Sequence, residues 1–317
     1  MRKKIFLPLL VLVTLLLLAG CKKESVPVDQ TPPPVEEPVV EVDENEKEVI
    51  MTEFEALIDS DKDPEEVIGY INTNIAKLSP LEGDKMIDSL EKKLENNIET
   101  LTDRLFELDS DNELINIAGT EPYFPEDKVD EIKNVELKAE VTKTFDNMYR
   151  LVNIEGGFYP VIDYTKLQEY DNNISDEWKE YLAIRAMDSD SRPFSDGGIT
   201  ISWEDLADRI LKTENFLNKY IAGPRQEELL DLYENKLTAY MKGLPNTPIA
   251  DPANKKISED VLKSYETTSN MEGYITAHVV YQYIEAIKAN NLTIDNGILN
   301  KADELINEAV SMLKEFK

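Results

Sequence analysis

One cysteine and one histidine stand in 317 residues, and each scarcity removes a class of chemistry. A single thiol cannot close an internal disulfide. One Cys with one His cannot supply the ligand set of an ordinary zinc site or of an iron–sulfur cluster. Basic side chains are outnumbered, 34 Lys+Arg against 64 Asp+Glu, for a formal charge of -30. Nucleic acid is therefore not an expected partner, because a polyanion is held by Lys and Arg on its phosphates and an acidic body repels it. Arginine is sparser still, with 7 residues against 27 lysines. Catalytic signatures are missing as well: there is no H-E-x-x-H, no G-x-S-x-G and no glycine-rich phosphate loop. Gly156-Gly157 and Gly197-Gly198 lack the downstream residues of such a loop and read as turns. The longest apolar run, Ile5 to Ala19 with breaks at Pro8 and Thr14, is shorter than the ~20 residues of a membrane-spanning helix.

What is present begins with that run. Arg2, Lys3 and Lys4 precede it and Leu18-Ala19-Gly20-Cys21 closes it, the arrangement of a cleaved export signal. The four closing residues resemble the lipobox of bacterial lipoproteins. The resemblance implies that Leu18, Ala19 and Gly20 are read by the signal peptidase. It also implies that Cys21 takes a diacylglycerol on its sulfur, and that cleavage leaves an N-terminus that is usually acylated, with palmitate-type chains. Several acyl chains give stable anchoring where one does not. The expected location is the extracytoplasmic face of the cell membrane, or the outer membrane in a host with two; Lys22 is not the acidic residue that retains some lipoproteins in the inner membrane. Loss of the three signal charges leaves 31 basic against 64 acidic side chains.

Five organisational segments follow: a signal peptide at 1–20; the lipidated Cys with a Pro-rich acidic tether at 21–43; a helical region at 44–152; an irregular Gly/Pro segment at 153–202; and a second helical region at 203–317. The tether, with five prolines between residues 22 and 42, extends at ~3.1 Å per residue where it adopts polyproline II. The fold class expected is mainly α, an irregular multi-helix bundle or solenoid-like array with at most a small two-stranded β element. Apolar stripes at helical spacing carry this expectation: Ile50, Phe54, Leu57, Ile58; Val67, Ile68, Ile71, Ile75, Leu78; Ile87 through Leu108; Leu137, Val141, Phe145, Met148, Val152; and, later, Leu206, Ile210, Leu217, Ile221; Leu229, Tyr233, Leu237, Tyr240; Ala277, Val280, Ile284, Ile287; Ile298 through Phe316. Asp63-Pro64 and Ser79-Pro80 mark helix starts, and Ser202 with Asp205 a third. In the middle segment a short helix carries Trp178, Tyr181 and Leu182, and Phe158–Ile162 is expected to pair with Ile199–Ile201. Trp203-x2-Leu206-Ala207-x2-Ile210 resembles the opening of a tetratricopeptide repeat, but Lys219, Gly223 and Asp231 break the pattern and no second copy follows.

Chemistry-bearing candidates are few. His278 reads as a boundary residue bonded to a tyrosine or carboxylate, with a general-base role as the sharper alternative. Asp59, Asp61 and Asp63 occupy positions 1, 3 and 5 of an EF-hand-like loop, yet Pro64 and Tyr70 stand where Gly and Glu belong; Asp109-Ser110-Asp111-Asn112-Glu113 and Asp188-Ser189-Asp190 recur at other helix ends and fail similarly. Calcium is the one cofactor considered, and the expectation is that none is needed. Carboxylates are numerous enough for a glycosidase pair, but no spacing encodes one. The only Glu-Ser, Glu24-Ser25, lies in the tether, away from the site such a pair opens in the helical lytic transglycosylases. The expected function is a non-enzymatic binding or scaffold module, its partner an envelope protein or ligand. The alternatives are a carboxylate-based envelope hydrolase or a calcium- or solute-binding lipoprotein. Tyr233, Tyr240, Tyr274 and Tyr281 are read as core, with a groove lining as the alternative.

Overall fold

The computed structural model describes residues 43–315 except 61, 222 and 224. Leu18, Ala19, Gly20, Cys21, the tether, Asp61 and Phe316 lie outside the described residues. The fold is mainly α. Its helices are α1 (Glu44–Ile58), α2 (Pro64–Asn74), α3 (Pro80–Leu108), α4 (Glu113–Ala118), α5 (Val135–Asp146), α6 (Tyr164–Leu167), α7 (Asp176–Asp190), α8 (Trp203–Lys219), α9 (Gln226–Lys242), α10 (Glu259–Ser269), α11 (Ile275–Ala289) and α12 (Asn296–Glu315). No helix among the described residues is long and apolar enough to cross a membrane.

The long stripe from Ile87 to Leu108 forms α3, which packs against α1, α2, α5 and the central hairpin. Its start is fixed by Pro80, whose missing N–H costs nothing in a first turn, and by Glu82 Oε2, which accepts from Ser79 N at 2.8 Å and Ser79 Oγ at 2.7 Å. Ser202 likewise caps α8 by accepting from Asp205 N at 3.0 Å. Asp63 holds the N-cap position of α2 without capping it; its carboxylate turns instead to Lys143 Nζ at 2.7 Å. The second half is a helical array in which α8, α9, α11 and α12 share neighbours. One continuous apolar core runs from Ile50 to Leu313, through both helical regions and the segment between them.

The expected strand pairing is wrong in its partners. Phe158–Ile162 belongs to β2 (Gly157–Ile162), which pairs antiparallel with β1 (Tyr149–Ile154) in the register Ile154↔Gly157. Ile199 lies in β4 (Gly198–Ile199), paired with β3 (Phe194–Ser195). Turn chemistry decided both. Glu155 and Gly156 take φ of 52° and 91°, and Asp196 and Gly197 take 48° and 65°. Two successive positive-φ residues make the tight turn that matches strand twist, so each ribbon closes on its nearest neighbour. The first helical region consequently ends early. α5 stops at Asp146, Met148 adopts a φ of 65°, and Val152 is a strand residue. A third ribbon, β5 (Gly243–Leu244) with β6 (Thr247–Pro248), has no counterpart among the sequence expectations. Ile221 also falls off its stripe: it lies beyond α8 and is 44% exposed.

Candidate functional site

The apolar stripe of α3 is flanked by a second one of acids, Asp88, Glu91 and Glu95, spaced so that all three share a helix face. On α7, Trp178, Tyr181, Arg185 and Asp188 repeat the same spacing. Glu91 lies at the centre and is fully buried. It accepts from the Tyr164 hydroxyl at 2.6 Å, the Tyr181 hydroxyl at 2.5 Å and Arg225 Nη2 at 2.5 Å. Arg225 also reaches Asp88 at 2.8 Å and Glu228 at 3.2 Å. Arg185 pairs with Glu228 and lies 4.4 Å from the Tyr164 ring centroid. Burial, and then the charge of Glu91, push the Tyr164 and Tyr181 hydroxyls well above their ordinary pKa, so both remain donors at neutral pH.

A second ionic group adjoins the first. Asp188 Oδ1 accepts from Arg209 Nη1 at 2.9 Å, and Asp188 Oδ2 lies 2.7 Å from the fully buried Lys236 Nζ. Lys236 has no further polar partner among the described residues, and its ammonium loses the hydration that three N–H donors would hold in water. Burial lowers its pKa, against the pull of Asp188. Replacing Lys236 with methionine is therefore expected to leave stability within about 1 kcal/mol of the parent or to raise it, since Asp188 keeps Arg209 and an apolar chain suits the site. Urea unfolding at pH 7 measures this, and a loss above ~3 kcal/mol would show that the ammonium is a net stabiliser.

Between these groups opens a cavity of about 300 Å³ lined by Glu95, Ile98, Val161, Ile162, Tyr164, Arg185, Asp188, Ser189 and Arg192. Two arginines line it, and two more hydrogen-bond to lining residues: Arg150 Nη1 to the Ser189 carbonyl at 2.7 Å, and Arg209 to Asp188. A chain with seven arginines thus gathers four of them around one cavity and a fifth, Arg225, on the adjoining Glu91. Glu95 is exposed; partial desolvation and the neighbouring Glu91 charge raise its pKa, against the pull of Arg225, Arg185 and Lys92.

Carboxylate oxygens of Glu91, Glu95 and Glu228 fall within 4.8 Å of one another. That donor set does not suit a divalent ion, because Glu91 is already saturated by two hydroxyls and a guanidinium, and Arg185 and Arg225 place positive charge where the ion would sit. Glu214 is a further buried acid, and its role is structural. From α8 it accepts Ile275 N at 2.5 Å and Thr276 N at 2.9 Å, capping the start of α11.

Of the candidates singled out in the sequence, Asp188 and Ser189 line the cavity, with Asp188 held by Arg209 and Lys236, and the others lie elsewhere. His278 is exposed, 3.0 Å from Gln282 Nε2 and 3.9 Å from a Glu308 carboxylate oxygen, with no tyrosine bonded to it. In the loop after α1, the Ser60 carbonyl accepts from Lys93 Nζ at 2.9 Å, and Asp63, one of the three carboxylates expected to face calcium, is held by Lys143 Nζ. Asp59 caps the end of α1. Tyr233 and Tyr240 are buried in the core, Tyr274 is half-buried and Tyr281 is exposed. The charged seam was missed because acids and bases at helical spacing read as a solvated face; the clustering of scarce arginine was the available signal. Protein-family models, curated proteins and solved structures were all compared with the chain, and none matches it.

Proposed function

We propose that the chain is a membrane-anchored extracytoplasmic lipoprotein whose acidic helical domain is a binding module of the cell envelope. The observation that carries the reading is the Leu18-Ala19-Gly20-Cys21 motif, in which the chain's one thiol directly follows the small residues that close an apolar run. The cavity beside α3 and α7 supports the binding half: it joins an apolar wall to a few convergent charged groups, the composition of a small-molecule site. A carboxylate-based hydrolase draws less support. Its pair must reach substrate from a cleft, whereas Glu91 is fully buried with its oxygens engaged.

Cys21→Ala is expected to abolish incorporation of a labelled fatty acid and to release the protein from the membrane fraction. Retention of both label and membrane association in the variant would overturn the anchor.

A further inference from the structure

Next to the cavity beside α3 and α7 opens another, of about 370 Å³, with Tyr123, Val152, Asp190, Ser191, Ser195 and Thr200 in its wall. Four stretches of chain hold that wall. Residues 122–124 run along β1, where Tyr123 bridges Val152, Phe124 N donates to the Leu151 carbonyl at 2.9 Å and Asn153 N to the Pro122 carbonyl at 2.9 Å. Asp190 ends α7 and Ser191 follows it, while Ser195 belongs to β3. Thr200, just past β4, donates its N–H to the Pro193 carbonyl at 2.9 Å and its hydroxyl to the Arg192 carbonyl. The Tyr123 ring is fixed by two contacts: its hydroxyl accepts from Arg192 N at 3.3 Å, and the Arg150 guanidinium lies 5.1 Å from its centroid. The wall leaves hydroxyl and carboxylate groups unengaged. The Ser191 and Ser195 hydroxyls make no hydrogen bond among the described residues, and the Asp190 carboxylate, 69% exposed, has only Arg150 at 3.7 Å, beyond hydrogen-bond reach. These groups are open to water: Asp190, Ser191 and Thr200 are exposed, and Tyr123 and Ser195 are half-buried.

We propose that this cavity binds a neutral sugar, a pyranose whose C–H face rests on the Tyr123 ring and whose hydroxyls bond to Asp190, Ser191 and Ser195. This rests on the binding-module reading and places the ligand one cavity away from the buried ionic groups. A sugar hydroxyl both donates and accepts, which suits two serines that do the same beside a carboxylate that only accepts. The face of an aromatic ring is the negative pole of its quadrupole, so it attracts the positively polarised C–H groups on the apolar side of a pyranose. Charge favours a neutral ligand. Asp190 and a body of formal charge -30 repel an anion, while Arg150 beside Asp190 and Arg192 in the same wall disfavour an ammonium. The volume falls within the roughly 300–1,000 Å³ of small-molecule sites.

The test uses the full chain in a detergent without a sugar head group. It is titrated calorimetrically with glucose, galactose, mannose and N-acetylglucosamine, with cellobiose and diacetylchitobiose, and with sorbitol and glucose 6-phosphate. At least one neutral sugar is expected to bind about tenfold or more tightly than sorbitol, which has the hydroxyls without a rigid ring face, and than glucose 6-phosphate, which adds negative charge. A disaccharide that outbinds its monosaccharide by about tenfold identifies a glycan chain as the source, and equal or weaker binding identifies the free sugar. Tyr123→Ala is expected to weaken binding about tenfold or more, and Tyr123→Phe, which keeps the ring, less than about threefold. Asp190→Ala changes an exposed side chain, so folding is not at stake, and is expected to weaken binding about threefold or more. Tyr281→Ala, which removes an exposed ring from α11, is expected to leave it unchanged. Absence of binding by every sugar overturns the proposal. So do sorbitol binding as tight as that of the sugars, affinity that neither Tyr123→Ala nor Asp190→Ala weakens, and a loss shared equally by Tyr281→Ala. Because acyl labelling at Cys21 is read on a different residue, failure here leaves the anchor standing, and loss of the anchor leaves this titration interpretable.

Discussion

Replacing Arg225 with methionine is expected to destabilise the fold by about 3–5 kcal/mol in urea unfolding at pH 7. Arg225 is the cation that neutralises Glu91 from within, at 2.5 Å, and it ties Asp88 on α3 to Glu228 on α9. Without it, Glu91 stays fully buried with two tyrosine hydroxyls but no positive charge on its carboxylate. Hydrogen bonds from neutral donors do not offset the desolvation of an unpaired carboxylate. The size of the loss lies in this uncompensated charge rather than in the worth of the pair. Glu91→Gln in the same chain is therefore expected to recover part of it, with a coupling energy above ~1 kcal/mol in the double-mutant cycle. A single-variant loss under 1 kcal/mol, or strict additivity, would mean that the seam is solvated and contributes little.

Alkaline unfolding is expected to be steep and complete between about pH 10.5 and 11.5. Eight of the fourteen tyrosines are buried: Tyr149, Tyr164, Tyr170, Tyr181, Tyr233, Tyr240, Tyr265 and Tyr283. Burial raises the pKa of every one, to about 12 for Tyr240 and further for the others. A group whose folded pKa is raised contributes stability that is fully present below its unfolded pKa, near 10 for tyrosine, and is lost as pH rises toward the folded value. Each tyrosine then removes about 1.4 kcal/mol per pH unit, so eight remove on the order of 11 kcal/mol by pH 11, comparable to the whole stability of a domain. Lys236 acts in the opposite direction, because its depressed pKa makes stability rise with pH up to the unfolded lysine value. It is one group against eight. Far-ultraviolet circular dichroism and tyrosinate absorbance are expected to change together in one cooperative step. Gradual tyrosinate formation with the helix signal intact to pH 12 would show that the phenols are accessible in the folded state.

Much of the architecture was legible in the chain because helix formation is read locally. Pro80 after Ser79, followed by apolar residues every three or four positions, specifies α3 to its end at Leu108 without reference to anything distant. The hairpins were half legible. Gly156 and Gly197 announced turns, but the pairing depended on the residue before each glycine also accepting positive φ. Glu155 and Asp196 do so, which closes each strand on its nearest neighbour.

By itself the sequence determined a mainly helical protein of strongly negative charge, poor in arginine and histidine, with a lipobox-like motif whose reading needs no fold. Tertiary structure alone decided which charges leave water. Asp88, Glu91 and Glu95 on α3 have the same local spacing as any solvated acidic stripe. Only the approach of α7 and of the turn entering α9 places Arg185, Arg225 and Glu228 against them, while a buried guanidinium nitrogen of Arg192 keeps no acceptor among the described residues. The physical reason is that helix propensity and amphipathic spacing act within a few residues, whereas desolvation of a charge depends on chains far away in sequence that fold over it.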